Sequence, residues 1–284
     1  MKLGKSKYLL VVVLLWLGCQ SCFQFRQSDK KQLKELRNIP PDCNVELGFK
    51  NGLDRKIHYT LVSSDSSFPL AVFVHGSPGS SSNFLTYAAD SLLLKKYNVL
   101  LIDRPGFGHS DFGKSEPNIS DQASILNEVI DQFDYQHKIL VGHSLGGPII
   151  CKMAMDEPEL IDGLLIVAGS VSPELEPEEK WRKPLSGKWI SWILPKSFRV
   201  SNEEILPTKK ELEQMESQWK KIICDVQIIQ GGKDKLVPAG NEDFAERKLI
   251  NAHSVKVYRL DDQNHFIPFT TPELIVEALF RFSF

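Results

Sequence analysis

Gly142-His143-Ser144-Leu145-Gly146 follows the apolar run 138–141 and opens a second apolar stretch, 145–155. A G-x-S-x-G turn between a strand and a helix strains the backbone so that the serine oxygen stands above the sheet edge, and a side chain at either glycine would collide with neighbouring backbone. As a bare pattern it is weak, arising by composition about once in ten chains of this length. Its place after a strand and before a helix gives it weight. A lone serine is a poor nucleophile, so the reading requires a histidine to take its proton and a carboxylate to orient that histidine.

Both are found downstream. Gly231-Gly232-Lys233-Asp234-Lys235-Leu236-Val237-Pro238 follows the strand-like run 226–230, and Asp261-Asp262-Gln263-Asn264-His265 follows the next, 254–259. Asp234 and His265 therefore fall on loops at strand C-termini, where open α/β sheets gather their active sites. Asp261 and Asp262 are nearer to His265 in sequence but read as solvated turn residues. Glu174 lies in a charged, Pro-rich stretch, and His253 starts a strand. His143 is read as a packed neighbour of the nucleophile.

Outward from these motifs the pattern alternates strand and helix. Strands are expected at Leu70–Val74, Asn98–Ile102, 138–141, 164–167, 226–230 and 254–259, with helices near 83–94, 120–133, 145–155, 241–249 and 273–280. Continuous apolar strands suit a parallel sheet covered on both faces. Ahead of them, 44–49 and 56–62 read as a hairpin turning at Asn51-Gly52, a pair that favours positive φ. The segment 171–223 breaks the rhythm. It is too long for a connection and carries Trp181, Trp189, Trp192 and Trp219, so it reads as an inserted helical cap. Its stretch 189–194 either packs the cap on the core, lids an apolar acyl pocket, or touches lipid.

Taken together, G-H-S-L-G, the G-x-x-D-x-x-V-P segment around Asp234 and Asn264-His265-Phe266 resemble the α/β-hydrolase family over about 68–284. The resemblance implies an α/β fold with a mostly parallel eight-stranded sheet, helices on both faces and a small cap, and a triad of Ser144, Asp234 and His265. His75-Gly76-Ser77-Pro78-Gly79 resembles the family's oxyanion loop. By that carry-over, the backbone N–H groups of Ser77 and Leu145 hold the oxyanion. Asp103-Arg104-Pro105-Gly106-Phe107-Gly108-His109-Ser110 resembles the structural floor behind the nucleophile. The implied chemistry is ester hydrolysis of a small-molecule acyl substrate through an acyl-enzyme, without metal or cofactor. Amide or peptide, lactone, thioester and C–C bonds stay open, as does a non-catalytic binding module on the same fold. Serine at 144, where relatives attacking halides or epoxides carry Asp, argues against those two chemistries.

The whole chain has 284 residues and a formal charge of -2, with no long basic cluster, which argues against nucleic-acid binding. At the N-terminus, Lys2, Lys5 and Lys7 precede a ten-residue apolar run, 8–17. That is the layout of an export signal and is short of the roughly 20 residues that a membrane span needs. Leu17-Gly18-Cys19 resembles a bacterial lipoprotein box, although Trp16 departs from it and Cys22 competes with Cys19 as lipid acceptor. The expected organisation is a signal at 1–22, a polar tether at 23–43 and the catalytic domain at 44–284, exported and held at a membrane surface, with secretion or a periplasmic location as the alternative. Cys19, Cys22, Cys43, Cys151 and Cys224 show no metal spacing. Cys43 and Cys224 could pair if exported.

Overall fold

The computed structural model describes residues 24–283. The expected signal segment 1–22, with Cys19 and Cys22, lies outside the described residues.

Eight strands form one sheet: β1 (Asn44–Gly52), β2 (Arg55–Ser63), β3 (Leu70–Val74), β4 (Asn98–Ile102), β5 (Lys138–His143), β6 (Gly163–Val167), β7 (Asp225–Gly231) and β8 (Ser254–Leu260). Their order is β1-β2-β4-β3-β5-β6-β7-β8. β1 pairs antiparallel with β2, and β2 antiparallel with β4; from β4 across to β8 every pairing is parallel. The apolar runs explain this arrangement. In β3 the side chains of Leu70, Val72 and Val74 enter one core, with the helices Ile119–Asp131 and Gly146–Asp156, while Ala71 and Phe73 enter the other, with the helix Pro272–Leu279. A strand buried on both faces has no polar side to show.

The sequence reading places the hairpin turn two residues too early. β1 runs through Gly52, which pairs with Arg55, so the two-residue turn is Leu53-Asp54, with Leu53 at φ +49°. Gly52 is required for another reason: a Cβ there would sit 2.2 Å from the Ile125 carbonyl oxygen on the helix Ile119–Asp131. The expected helix at 83–94 is likewise broken. A 3₁₀ turn, Ser81–Phe84, leads into the short helix Leu85–Ala88, and the Asp90 carboxylate then caps the backbone N–H groups of Leu92 and Leu93 to start a new turn.

The segment 23–43, expected as a loose tether, is packed on the domain where it is described. The helix Asp29–Glu35 buries Gln32, whose Oε1 accepts from the Thr60 hydroxyl at 2.9 Å, and Leu36 joins the core. Two buried contacts in a mostly charged stretch leave little trace in its composition. Cys43 and Cys224, whose pairing the sequence left open, are free and pack on opposite faces of the sheet. Burial pushes the Cys224 thiol up to about 12. The cap region holds the helices Arg182–Leu185, Lys188–Ser191, Lys196–Ile205 and Thr208–Met215, then a 3₁₀ turn that buries Trp219. Among the described residues no helix is long and apolar enough to cross a membrane.

Candidate active site

The carboxyl ends of β3, β5, β7 and β8 carry the four predicted motifs, side by side in the sheet apart from β6. Ser144 stands at the turn from β5 to the helix Gly146–Asp156 with φ +56°, the left-handed region that a residue with a side chain enters only under strain. The turn is held by backbone: Ser144 N–H donates to Val167 O at 3.1 Å, and Gly147 N–H donates to Ser144 O at 2.9 Å. The flanking glycines are needed for space. A Cβ on Gly146 would lie 2.3 Å from Val74 O, and one on Gly142 would lie 2.5 Å from Gly146 O.

Asp234 and His265 are joined. The His265 Nδ1 lies 2.8 Å from Asp234 Oδ2, and the Leu236 and Val237 N–H groups each donate to Asp234 Oδ1 at 2.8 Å. A buried carboxylate so placed accepts only, so His265 Nδ1 carries the hydrogen and Nε2 is left as the basic nitrogen. Burial alone would raise the Asp234 carboxyl, but the hydrogen bond from His265 and those from the two backbone N–H groups hold it below its ordinary value. The acid and base loops are also tied by backbone, Gly232 N–H to Leu260 O and Lys233 N–H to Gln263 O, both at 2.9 Å.

His143 connects this pair to the elbow. Its Nε2 donates to the carbonyl of His265 at 2.9 Å, and the two rings lie 4.7 Å apart. Burial drives the His143 imidazole down to about 3, so it stays neutral. His143 therefore fixes the backbone of His265, a role that the sequence reading did not assign.

On the other side, Gly76 approaches so closely that a Cβ there would be 2.8 Å from the Ser144 Cβ. This sets the His75–Ser77 stretch against the nucleophile, with Leu145 at the N-terminus of the following helix. Among the described residues neither the Ser77 nor the Leu145 backbone N–H donates to another group of the chain. The His75-Gly76 loop is gripped by Arg104, which is wholly buried: its Nε donates to His75 O at 2.8 Å and its Nη2 to Gly76 O at 2.9 Å. The same guanidinium makes a two-pronged pair with Glu204 of the cap helix Lys196–Ile205, at 2.8 and 3.0 Å. Arg104 thus ties the His75-Gly76 loop and the cap together. A buried planar fork suits this task, because it satisfies carbonyls and carboxylate at once. Asp103, read from sequence as part of the floor, accepts from the N–H groups of Ser81 at 2.7 Å and His109 at 2.8 Å and faces the His58 ring at 3.0 Å. Ser110 donates to Asp103 O.

The rivals for the triad lie elsewhere. Asp262 is exposed and paired with Lys233, His253 is exposed and paired with Asp225, and Glu174 is exposed. Large apolar groups border the pair instead: the Phe266 ring is 5.6 Å from that of His265, Phe269 is 5.3 Å from His143, and Leu236 follows Asp234, all three exposed. Among the described residues no three His, Cys, Asp or Glu side chains are gathered for a metal.

This architecture is matched from two directions. Residues 69–188 fit the family model described as the alpha/beta hydrolase fold. The chain is 22% identical over 270 residues to a Haemophilus influenzae protein assigned as an esterase/lipase, covering 85% of this chain and 91% of that one. It is 30% identical over 171 residues to an Oryza sativa protein assigned as a 1-acylglycerol-3-phosphate O-acyltransferase, covering 56% of this chain and only 40% of that protein. The structure superposes on the esterase from Exiguobacterium antarcticum with a TM-score of 0.63 at 22% identity, covering 82% and 97% of the two chains. The chain has the α/β-hydrolase fold.

Proposed function

We propose that the chain is a serine hydrolase that cleaves a carboxylic ester through an acyl-enzyme on Ser144. The observation that carries this reading is the elbow: a serine held at φ +56°, one residue from the histidine that clamps the buried Asp234–His265 pair. In the reaction His265 Nε2 takes the Ser144 proton as the oxygen attacks the carbonyl carbon. The Ser77 and Leu145 N–H groups face the developing oxyanion, the alcohol leaves with the proton from His265, and water repeats the sequence to free the acid. Asp234 keeps His265 in the tautomer this needs and stabilises its cation. Preorganised donors of this kind are worth on the order of a hundredfold to a thousandfold each.

An ester with an apolar acyl group is favoured by the exposed Phe266, Phe269 and Leu236 beside the pair. The esterase/lipase assignment of the Haemophilus relative points the same way. The first 22 residues are taken as an envelope-targeting signal, with Cys19 as lipid acceptor, leaving the enzyme at a membrane surface. The test is hydrolysis of p-nitrophenyl esters of increasing chain length by the full chain in mild detergent. Turnover that rises with acyl length and falls by roughly four to six orders of magnitude in Ser144→Ala is expected. A folded protein that hydrolyses none of the series contradicts the ester reading.

A further inference from the structure

Of the cap's four tryptophans only Trp219 is buried. Trp189 is 87% exposed, Trp192 60% and Trp181 57%, and Ile190 and Ile193 beside them are exposed as well. Clustered apolar surface of this kind on a single chain marks a docking face. Its chemistry identifies what docks. Between 180 and 202 the sequence carries Lys180, Arg182, Lys183, Lys188, Lys196 and Arg199 and no Asp or Glu, although the whole chain is slightly acidic. Glu178 and Glu179 precede this stretch, and Glu179 pairs with Arg182, which leaves the lysines and Arg199 as its cations. A second copy would bring the same positive charge and be repelled. Indole rings with lysines around them suit the headgroup layer of an anionic bilayer, where the ring body meets acyl chains and the N–H stays wet.

The position of the first described residues agrees with this. The Ser197 hydroxyl, on the cap helix, donates to Gln24 O at 2.6 Å. Phe25 packs edge-on against Phe198 at 5.5 Å, and Arg26 stacks on Phe112 at 4.1 Å. The described chain therefore begins on the cap. Gln24 lies seven positions after Leu17, the end of the apolar run, and even fully extended that span reaches only about 25 Å. A membrane attachment at the run or at Cys19 thus holds the bilayer near the cap, beside the tryptophans.

We propose that the cap face formed by Trp181, Trp189, Ile190, Trp192 and Ile193 lies in an anionic lipid surface and turns the site beneath it toward that surface. The proposal rests on the anchored reading of residues 1–22; it does not require the esterase reading.

The full chain carrying Trp16→Phe, which silences the N-terminal indole whether or not that segment is retained, is reconstituted into nanodiscs. The lipid is phosphatidylcholine with or without phosphatidylglycerol, part of it brominated on the acyl chains. Brominated lipid is expected to quench the tryptophan emission in the phosphatidylglycerol discs and less in pure phosphatidylcholine. The quenching is expected to fall sharply in Trp189→Ser/Trp192→Ser, which leaves Trp181 alone on the face and the core untouched because both rings are exposed, and to fall in Lys183→Glu/Lys196→Glu. Ser144→Ala is expected to quench like its parent, which separates this proposal from the catalytic one. A chain that floats with the discs while its tryptophans go unquenched overturns the docking and leaves the anchor standing. One that does not float at all overturns both, and equal quenching in the two lipids overturns the role of the cations.

Discussion

His143 and His75 carry consequences beyond their place beside Ser144. Both are buried and neutral, with the imidazoles driven down to about 3, His143 by burial and His75 by burial together with Arg104. The unfolded chain takes up protons on these rings below pH about 6.5, whereas the fold refuses them down to about pH 3. Stability therefore falls as the pH drops through that window, by about 1.4 kcal/mol per pH unit for each ring. Melting curves at pH 7.5, 6 and 5 should show the loss, and His143→Gln should shrink it; an unchanged slope in that variant would exclude His143 as a source. Asp234 acts lower, since its depressed carboxyl stabilises the fold above its unfolded value and ceases to as pH falls through the folded one. Replacing it by Asn should lower kcat/KM by about ten-thousandfold, because His265 is then free to take the other tautomer. Asp234 and His265 could be read from sequence because each follows its own strand run. His143 was read as a neighbour only, because its partner is a backbone carbonyl 122 residues away, and no residue type signals a carbonyl contact.

The Arg104–Glu204 pair links two elements that sequence reading keeps apart. Its members lie 100 positions apart, and Glu204 sits in a helix of ordinary mixed charge. Glu204→Gln leaves a wholly buried guanidinium without its counter-charge, and a loss of about 3 to 5 kcal/mol in denaturant unfolding is expected. If the stability is unchanged, the pair does not bear on the fold. The hairpin shows the opposite failure. Asn51-Gly52 has the composition of a turn, yet Gly52 serves the approach of a helix and Leu53 takes the positive φ. Leu53→Asn should therefore stabilise by about 1 kcal/mol, since asparagine tolerates the left-handed region better. A drop in melting temperature for that variant would contradict the turn assignment.

For the molecule as a whole, the parallel sheet was legible because its strands are buried on both faces, and the cap because its Pro-rich, charged stretch interrupts the alternation. The exposure of the cap tryptophans was not legible. A tryptophan inside the core, such as Trp219, and one on the surface, such as Trp189, look alike in sequence. The packed segment 29–38 was missed for a similar reason, since one buried glutamine and one buried leucine carry the contact. The central claim joins these levels: a sheet that brings four loops together, an elbow that lifts one serine, and a buried pair proposed to take its proton. It is tested most directly by treating the full chain with a fluorophosphonate and mapping the adduct by peptide mass. The account predicts one adduct, on Ser144, that disappears in Ser144→Ala and His265→Ala. A folded chain that remains unlabelled, or labels on another serine, would contradict it.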